Sequence, residues 1–465
     1  MIVYKVMRAQ SLSGYLNICF PKPAVFSISS IRCNQTLQGL ELMQNGELLT
    51  IAEVRKKFMD LMGIQAGFRT LKQSRAHLLK YLPASQEELP PRTIKETFQS
   101  AIIPLSTNVR LQEKYVSVLG HVRAGRLMED MDIFAAWVAM NYIKNPKQPP
   151  DVPTPYVIVT VLVDQISFTD FVPKAQADIR LSGIVSSVGR SSIETTVWLE
   201  QQQHGQWQKI TSAIFLMAAR NANISGSAPV NKLVAADDEE KLILAEAEVR
   251  KKRRHFEDSG SVLNKVPAPD EQSVIHNLFV NSVDMHNPTI NRRVLPPGTV
   301  WMADTKRSNI IFSHPEVKIH NFCPVNMPGN KTEKVDRNLH NKVFGGFLMR
   351  QALELAWIVG YFHSKHRPKL LHISDISFKK PVDVGSLLGM TGQVIYTEEN
   401  YMQILVHAEV TSPFSGQQVT TNVFHYTYEA PDYATKVMPN TYHEAMMYID
   451  GRRHFQEVMG LKSSS

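Results

Sequence analysis

The chain has 465 residues, 43% of them hydrophobic and 20% charged, which is material for about three ordinary domains and excludes global disorder. Charged residues interrupt every apolar run before it reaches the ~18 residues a membrane helix needs. Three cysteines, Cys19, Cys33 and Cys323, none in a CxxC pair, exclude a disulfide-held scaffold and a zinc ribbon.

The formal net charge is +8, and half of it sits in residues 1–40, where Lys5, Arg8, Lys22 and Arg32 meet no acidic residue before Glu41. A Ser-containing, acid-free segment of this kind reads as a mitochondrial presequence. The remaining charge is too dilute for a nucleic-acid footprint. Residues 41–95 read as a polar, helical extension, with one helix through Glu53–Leu61 and another at Ala76–Tyr81, closed by Pro83 and Pro90-Pro91. A more apolar body follows at 96–220. A polar linker at 221–270 then carries a helix with Asp237–Glu240 at its front and Arg250–Arg254 at its back, an order that suits the helix dipole.

The most informative feature is an internal repeat. Gly125-Arg126-Leu127-Met128 corresponds to Gly346-Phe347-Leu348-Met349, and Asp164–Phe168 to Asp375–Phe378. Gly183 then corresponds to Gly392, Phe215 to Phe424, and Arg253-Arg254-His255-Phe256 to Arg452-Arg453-His454-Phe455. The matches keep one order, so the chain holds two copies of one domain, at 96–220 and 271–430, with a helical tail at 431–465. Each copy opens with a largely apolar helix of about 15 residues and continues as a meander of strands. In the first copy the predicted strands are Tyr156–Phe168, Ala175–Val188, Ser192–Leu199 and Ile210–Ala219. In the second they are Leu370–Pro381, Ser386–Tyr396, Tyr401–Val410 and Thr420–Tyr428. The expected fold is α+β, an antiparallel sheet wrapped around one helix, with two copies closing each other's open flanks.

Asn341 followed by Val343-Phe344-Gly345-Gly346-Phe347-Leu348-Met349 resembles the helix-start signature of hotdog-fold acyl-CoA thioesterases. The tandem arrangement and the acid-poor N-terminus resemble the mitochondrial double-hotdog members of that family. The resemblance implies two hotdog domains acting as an intramolecular pseudo-dimer that hydrolyses acyl-CoA to free acid and coenzyme A in the matrix. It implies no cofactor, no metal, no nucleic-acid partner and no transmembrane segment, and it suggests further homo-oligomerisation of fused pairs.

Carrying the family's site onto the repeat frame gives an asymmetric result. The acid, seven residues after the glycine, is Asp132 in the first copy and Leu353 in the second. The amide, five residues before it, is Asn341 in the second copy and Gly120 in the first. Facing helices would then build one working site from Asp132 and Asn341, with Gly345 and Gly346 offering backbone N–H groups to an oxyanion. Glu354, beside the empty acid position, is a secondary candidate that a ~100° step turns elsewhere. Arg190, Arg253 and Arg254 are candidates for the coenzyme A phosphates, as is the basic helix exit at His363–Lys369. The three histidines there, His363, His366 and His372, read as exposed residues among lysine and arginine rather than as metal ligands. No GxSxG, P-loop, GxGxxG or HExxH motif occurs. Two alternatives stay open: a hotdog hydratase acting on enoyl- or hydroxyacyl-CoA, and a non-catalytic acyl-CoA binder.

Overall fold

The computed structural model describes residues 48–63, 74–260, 262, 265–284, 286, 292–312, 343–374, 376–383, 385–413 and 415–461. The presequence segment, the three cysteines and Asn341 lie outside the described residues.

Helix α1 (Ile51–Met62) starts at a capping box: Glu53 N–H donates to the Thr50 hydroxyl, and Thr50 N–H donates back to the Glu53 carboxylate. Ile51, Val54, Phe58 and Met62 form a buried stripe, so this part of the extension is amphipathic rather than simply polar. Ala76–Tyr81 folds as a 3₁₀ turn and not as an α-helix. Pro83, two residues on, has no N–H with which to extend it.

The first copy contains β2 (Gln99–Ile103), which pairs with the short β1 (Leu49–Thr50), then α2 (Val109–Tyr115) and the long α3 (Ala124–Tyr142). Strands β3 (Tyr156–Phe168), β4 (Ile179–Val188), β5 (Ser192–Gln203) and β6 (Gln206–Asn221) follow, and α4 (Asp238–Gly260) ends the copy. The second copy opens with α5 (Pro269–Asn281), β7 (Thr299–Trp301) and β8 (Arg307–Phe312), and its long helix is α6 (Gly345–Ser364). After it come β9 (Lys369–Ile373), β10 (Ile376–Ser377), β11 (Leu387–Glu398), β12 (Tyr401–Thr411), β13 (Gln418–Glu429), β14 (Lys436–Met438) and α7 (Tyr442–Val458). No described helix is long and apolar enough to cross a membrane.

One sheet runs β1-β2-β4-β5-β6-β3-β9-β13-β12-β11-β8, with β10 added on β3, and a separate parallel pair joins β7 to β14. The order is a mirror: β2-β4-β5-β6-β3 in one half answers β8-β11-β12-β13-β9 in the other. The halves meet where β3 and β9 pair antiparallel, with Ile166 opposite Ile373. Each half wraps its own long helix, α3 or α6, which is the two-hotdog arrangement. Gly183 and Gly392, equivalent in the repeat, explain part of the wrapping. A Cβ at Gly183 would stand 3.2 Å from Phe134 and Val138, and one at Gly392 3.0 Å from Val359. Glycine at these points lets the helix side chains approach the strand backbone.

Two differences from the sequence reading have physical causes. Strands β2 and β8 went unpredicted because each precedes its helix as a short run of mixed polarity near the sheet margin. The β5–β6 hairpin is also longer than expected, continuing to Gln203 and resuming at Gln206. Its polar Gln201–Gln206 tip resembles a loop in sequence. In fact it turns through His204 and Gly205, both at positive φ, as a two-residue hairpin requires.

Candidate active site

The site is built where α3 and α6 cross. Gly125 and Gly346 open equivalent helices, and each lies against the other helix. A Cβ at Gly346 would stand 2.9 Å from Glu129 Cα, and one at Gly125 would stand 3.0 Å from Arg350 Cγ. Glu129 and Arg350 each lie four residues after their glycine, so they are equivalent positions, and they meet. Arg350 Nε stands 2.9 Å from Glu129 Oε2, as an ion pair rather than an aligned hydrogen bond.

The first three turns of α3 bury three carboxylates, Glu129, Asp130 and Asp132. Burial of an acid demands partners, and the three are satisfied differently. Glu129 is flanked by Arg126 at 2.5 Å as well as by Arg350. Burial pushes its pKa up, but the cations Arg126, Arg350 and Arg55 outweigh burial and hold it below the usual carboxylate range. Asp130 accepts from Arg55 and from the Tyr115 hydroxyl. Asp132, 2% exposed, pairs with no cation among the described residues. Its Oδ1 accepts the Thr160 hydroxyl at 2.7 Å and its Oδ2 accepts the Gly346 N–H at 2.7 Å. Burial raises its pKa, these two bonds oppose the rise, and the neighbouring Glu129 charge adds to it; the net direction is up. A buried carboxylate with a raised pKa, held by donors and with no cation beside it among the described residues, is placed to take a proton.

The Gly346 contact follows from a local deficit. The residue preceding α6 is Phe344, which offers no side-chain acceptor, so the helix start lacks the usual cap. Asp132 reaches across from α3 and supplies it, in the field of the α6 dipole. At the equivalent start of α3, Arg123 makes no side-chain cap either, and the facing residue in the repeat frame is Leu353, which has no acceptor.

The structure brings together Asp132, Gly345 and Gly346. A Cβ at Gly345 would stand 2.9 Å from the Phe378 ring and 3.4 Å from Asp132 Oδ2. The Gly346 N–H, expected to face an oxyanion, donates instead to the carboxylate. Gly120, the first-copy amide position, lies in a turn at φ +77°. Glu354 is directed to arginine, 3.8 Å from Arg123 and 3.9 Å from Arg350. Arg253 and Arg254 both pair with the fully buried Asp164, at 2.6 and 3.0 Å, and Arg254 also pairs with Glu194 at 2.8 Å. They fasten α4 to the sheet. Arg190 is exposed in the β4–β5 turn. The three histidines do not converge: His363 contacts the Thr435 carbonyl at 2.8 Å, exposed His366 lies 3.6 Å from Asp432, and His372 lies 3.4 Å from Ser167.

Sequence reasoning missed Thr160. It stands just before a bulge in β3, where Thr160 pairs with Met217 and Leu162 with Leu216, leaving Val161 extra. A bulge re-aims the flanking side chains, and the Val161 carbonyl here accepts the Phe378 N–H at 2.9 Å. Nothing in the run Val157–Val163 marks its threonine as different from a strand residue.

No protein-family model matches the chain. It is 36% identical over 416 residues to acyl-coenzyme A thioesterase 9, mitochondrial, of Mus musculus, covering 89% of this chain and 90% of that protein. It is 35% identical over 428 residues to the Homo sapiens protein of the same name, covering 91% and 92%. Among solved structures, an acyl-CoA hydrolase from Staphylococcus aureus overlaps with a TM-score of 0.30 at 19% identity, over 35% of this chain and 92% of that one. An oleoyl thioesterase from Lactobacillus plantarum, described as putative, overlaps with a TM-score of 0.40 at 8% identity, over 72% and 96%. On the extent and identity of its curated relatives, the chain belongs to the mitochondrial acyl-coenzyme A thioesterase family.

Proposed function

We propose that the protein hydrolyses acyl-CoA thioesters to the free acid and coenzyme A at one composite site per chain, in the mitochondrial matrix. The observation that carries this reading is the Asp132 carboxylate, buried with no cation beside it among the described residues and bonded to the backbone at the start of the opposite repeat's helix.

In this mechanism Asp132 is the base that takes a proton from water, or the nucleophile that attacks the thioester carbonyl. Thr160 and the Gly346 N–H hold its two oxygens and favour its charged form against burial. Asn341 orients the carbonyl or the water. The developing oxyanion falls to the Asn341 amide and the first N–H groups of α6, with Gly345 at the first turn. Coenzyme A enters as part of the substrate and leaves as product. The acid-free first forty residues support the organellar location, as do the names of the relatives. We also infer that fused pairs assemble further, because β8 ends the sheet with Ile310 exposed.

The hydratase alternative wants an imidazole beside the acid, and among the described residues Asp132 is bonded to threonine and backbone instead. The test is thiol release from acyl-CoAs of graded chain length by wild type, Asp132→Asn and Asn341→Ala. Activity lost in both variants with folding retained supports the composite site. Activity surviving in both removes it. Binding without hydrolysis by wild type would make the protein a non-catalytic acyl-CoA binder.

A further inference from the structure

The two copies fasten their final helices to the outer face of the sheet by different chemistry. In the first, α4 uses arginines: Arg250 and Arg254 on Glu194, Arg253 and Arg254 on Asp164. In the second, the position equivalent to Leu216 holds His425, between the core residues Phe424 and Tyr426 of β13. An imidazole in place of leucine on a covered sheet face is costly unless its nitrogens are used. His425 is 8% exposed, and its Nδ1 has no hydrogen-bond partner among the described residues.

Helix α7 brings two more donors to the same point. Asp450 and His454 are four residues apart, one turn of helix, so they project from the same face. Asp450 Oδ2 lies 3.5 Å from His425 Nε2 and 4.0 Å from His454 Nε2, and one ligand atom from each of the three residues lies within 4.8 Å of the others. The two imidazoles stack with their centroids 3.9 Å apart. Among the described residues this is the group of histidine and acid side chains close enough to share a cation.

We propose that His425, Asp450 and His454 form a site for a divalent transition metal, Zn2+ by ligand type, that fastens α7 to β13. Two neutral imidazoles and one carboxylate suit zinc at about 2.0–2.2 Å from each donor, with water completing a tetrahedron. Gathering the donors to that distance draws together atoms that now lie 3.5 Å, 4.0 Å and up to 4.8 Å apart and turns the part-exposed His454 ring out of its stack on His425. The neutral imidazole is the form that binds metal. The first copy has no counterpart, since Leu216 and Lys251 stand where the second has His425 and Asp450. The proposal departs from the sequence expectation of no metal, and it is independent of the thioesterase reading because the cluster lies on the α7 side of the sheet and α6 packs on the other.

The test uses the untagged full-length chain, stripped with a chelator and titrated with Zn2+ against a chromophoric competitor, and separately loaded with Co2+ for its visible spectrum. The expected result is one equivalent of Zn2+ bound at micromolar affinity or tighter, a four-coordinate cobalt spectrum, and a melting temperature that rises with zinc. Asp450→Asn and His454→Gln should each weaken binding at least ~10-fold. His425→Leu, which restores the first-copy residue, should abolish it and still fold. Absence of zinc binding by wild type overturns the proposal. So does binding that persists unchanged in the Asp450→Asn, His454→Gln double variant, which would assign the metal to other histidines.

Discussion

Substituting alanine at the two equivalent glycines should have unequal effects, and the difference can be worked from the helix crossing. A Cβ at Gly346 would lie 2.9 Å from Glu129 Cα and 3.1 Å from both the Glu129 carbonyl oxygen and Asp132 Cβ. Carbon contacts settle at about 3.5–4.0 Å, so α3 and α6 must part by about 0.6–1.1 Å, because the nearest obstacle is backbone and cannot rotate away. That overpacking costs about 1–3 kcal/mol. It also stretches the 2.7 Å bond from Gly346 N–H to Asp132 by a similar distance. A reacting group misplaced by about 1 Å loses on the order of 100-fold in rate. At Gly125 the nearest atom is Arg350 Cγ at 3.0 Å, part of a flexible side chain, while the Arg350 backbone is already at 3.5 Å. Gly125→Ala should therefore cost less stability than Gly346→Ala and leave turnover intact, since the carboxylate belongs to the other helix start. The assay is acyl-CoA hydrolysis and thermal unfolding of the two variants in parallel. Equal loss of activity in both, or full activity in Gly346→Ala, would refute the assignment of the working site to the α6 start.

Other consequences follow from the same contacts. Catalysis by the Asp132 carboxylate should fall as pH drops through a value above the ordinary aspartate range, because burial raises its pKa; a rate flat down to pH ~4 would contradict this. The matching stability effect has the opposite sense. A folded pKa above the unfolded one gives stabilisation that is present below the unfolded value and lost as pH rises through the folded value. Asp132→Asn, neutral at every pH, should thus be inactive yet unfold no more easily than wild type at pH 7, as a thermal melt would show. Thr160→Val removes a donor that favours the charged form, so the acid limb of kcat/KM should move to higher pH, whereas an unmoved limb would deny Thr160 any hold on the carboxylate. Arg254→Met should lower stability by about 2 kcal/mol, since it leaves Asp164 and Glu194 each one cation short, and it should leave KM for acyl-CoA unchanged. A raised KM with an unaltered melting temperature would return this arginine to the coenzyme A phosphates.

The sequence revealed the fold through features that repeat, and hid what depends on one local irregularity. Gly183 and Gly392 were visible as a matched pair because the same close approach of helix to sheet is needed twice. Asp132 and Leu353 were visible as a mismatch in that frame. Thr160 was hidden because its role comes from the extra residue at Val161, and a bulge leaves no mark in a run of β-branched residues. The functions of Arg253 and Arg254 were hidden for a different reason. A basic cluster on a helix looks the same whether it faces solvent, a phosphate or a pair of carboxylates on a neighbouring sheet, and only the position of Asp164 and Glu194 in three dimensions decides. The short β2 and β8 lacked the length for a periodicity to show.

The crossing also explains why the two halves no longer match. At a true twofold axis a residue meets its own copy, and a buried carboxylate there would face another carboxylate. Duplication within one chain removes that constraint: Glu129 can meet Arg350, and both stay buried as a pair. The same freedom applies one turn later. Asp132 keeps a buried carboxylate that caps the α6 start, while Leu353 fills the equivalent place with apolar core, 5% exposed. A second aspartate there would bury another acid with no gain, because the matching amide position is Gly120 rather than asparagine. Leu353→Asp tests this reasoning in one step. It should face the start of α3 as Asp132 faces that of α6, destabilise the protein by a few kcal/mol (of the order for an uncompensated buried acid), and add nothing to turnover per chain. A doubled rate would show that the carboxylate and the helix start suffice alone, and Asn341 would lose its proposed part in the chemistry.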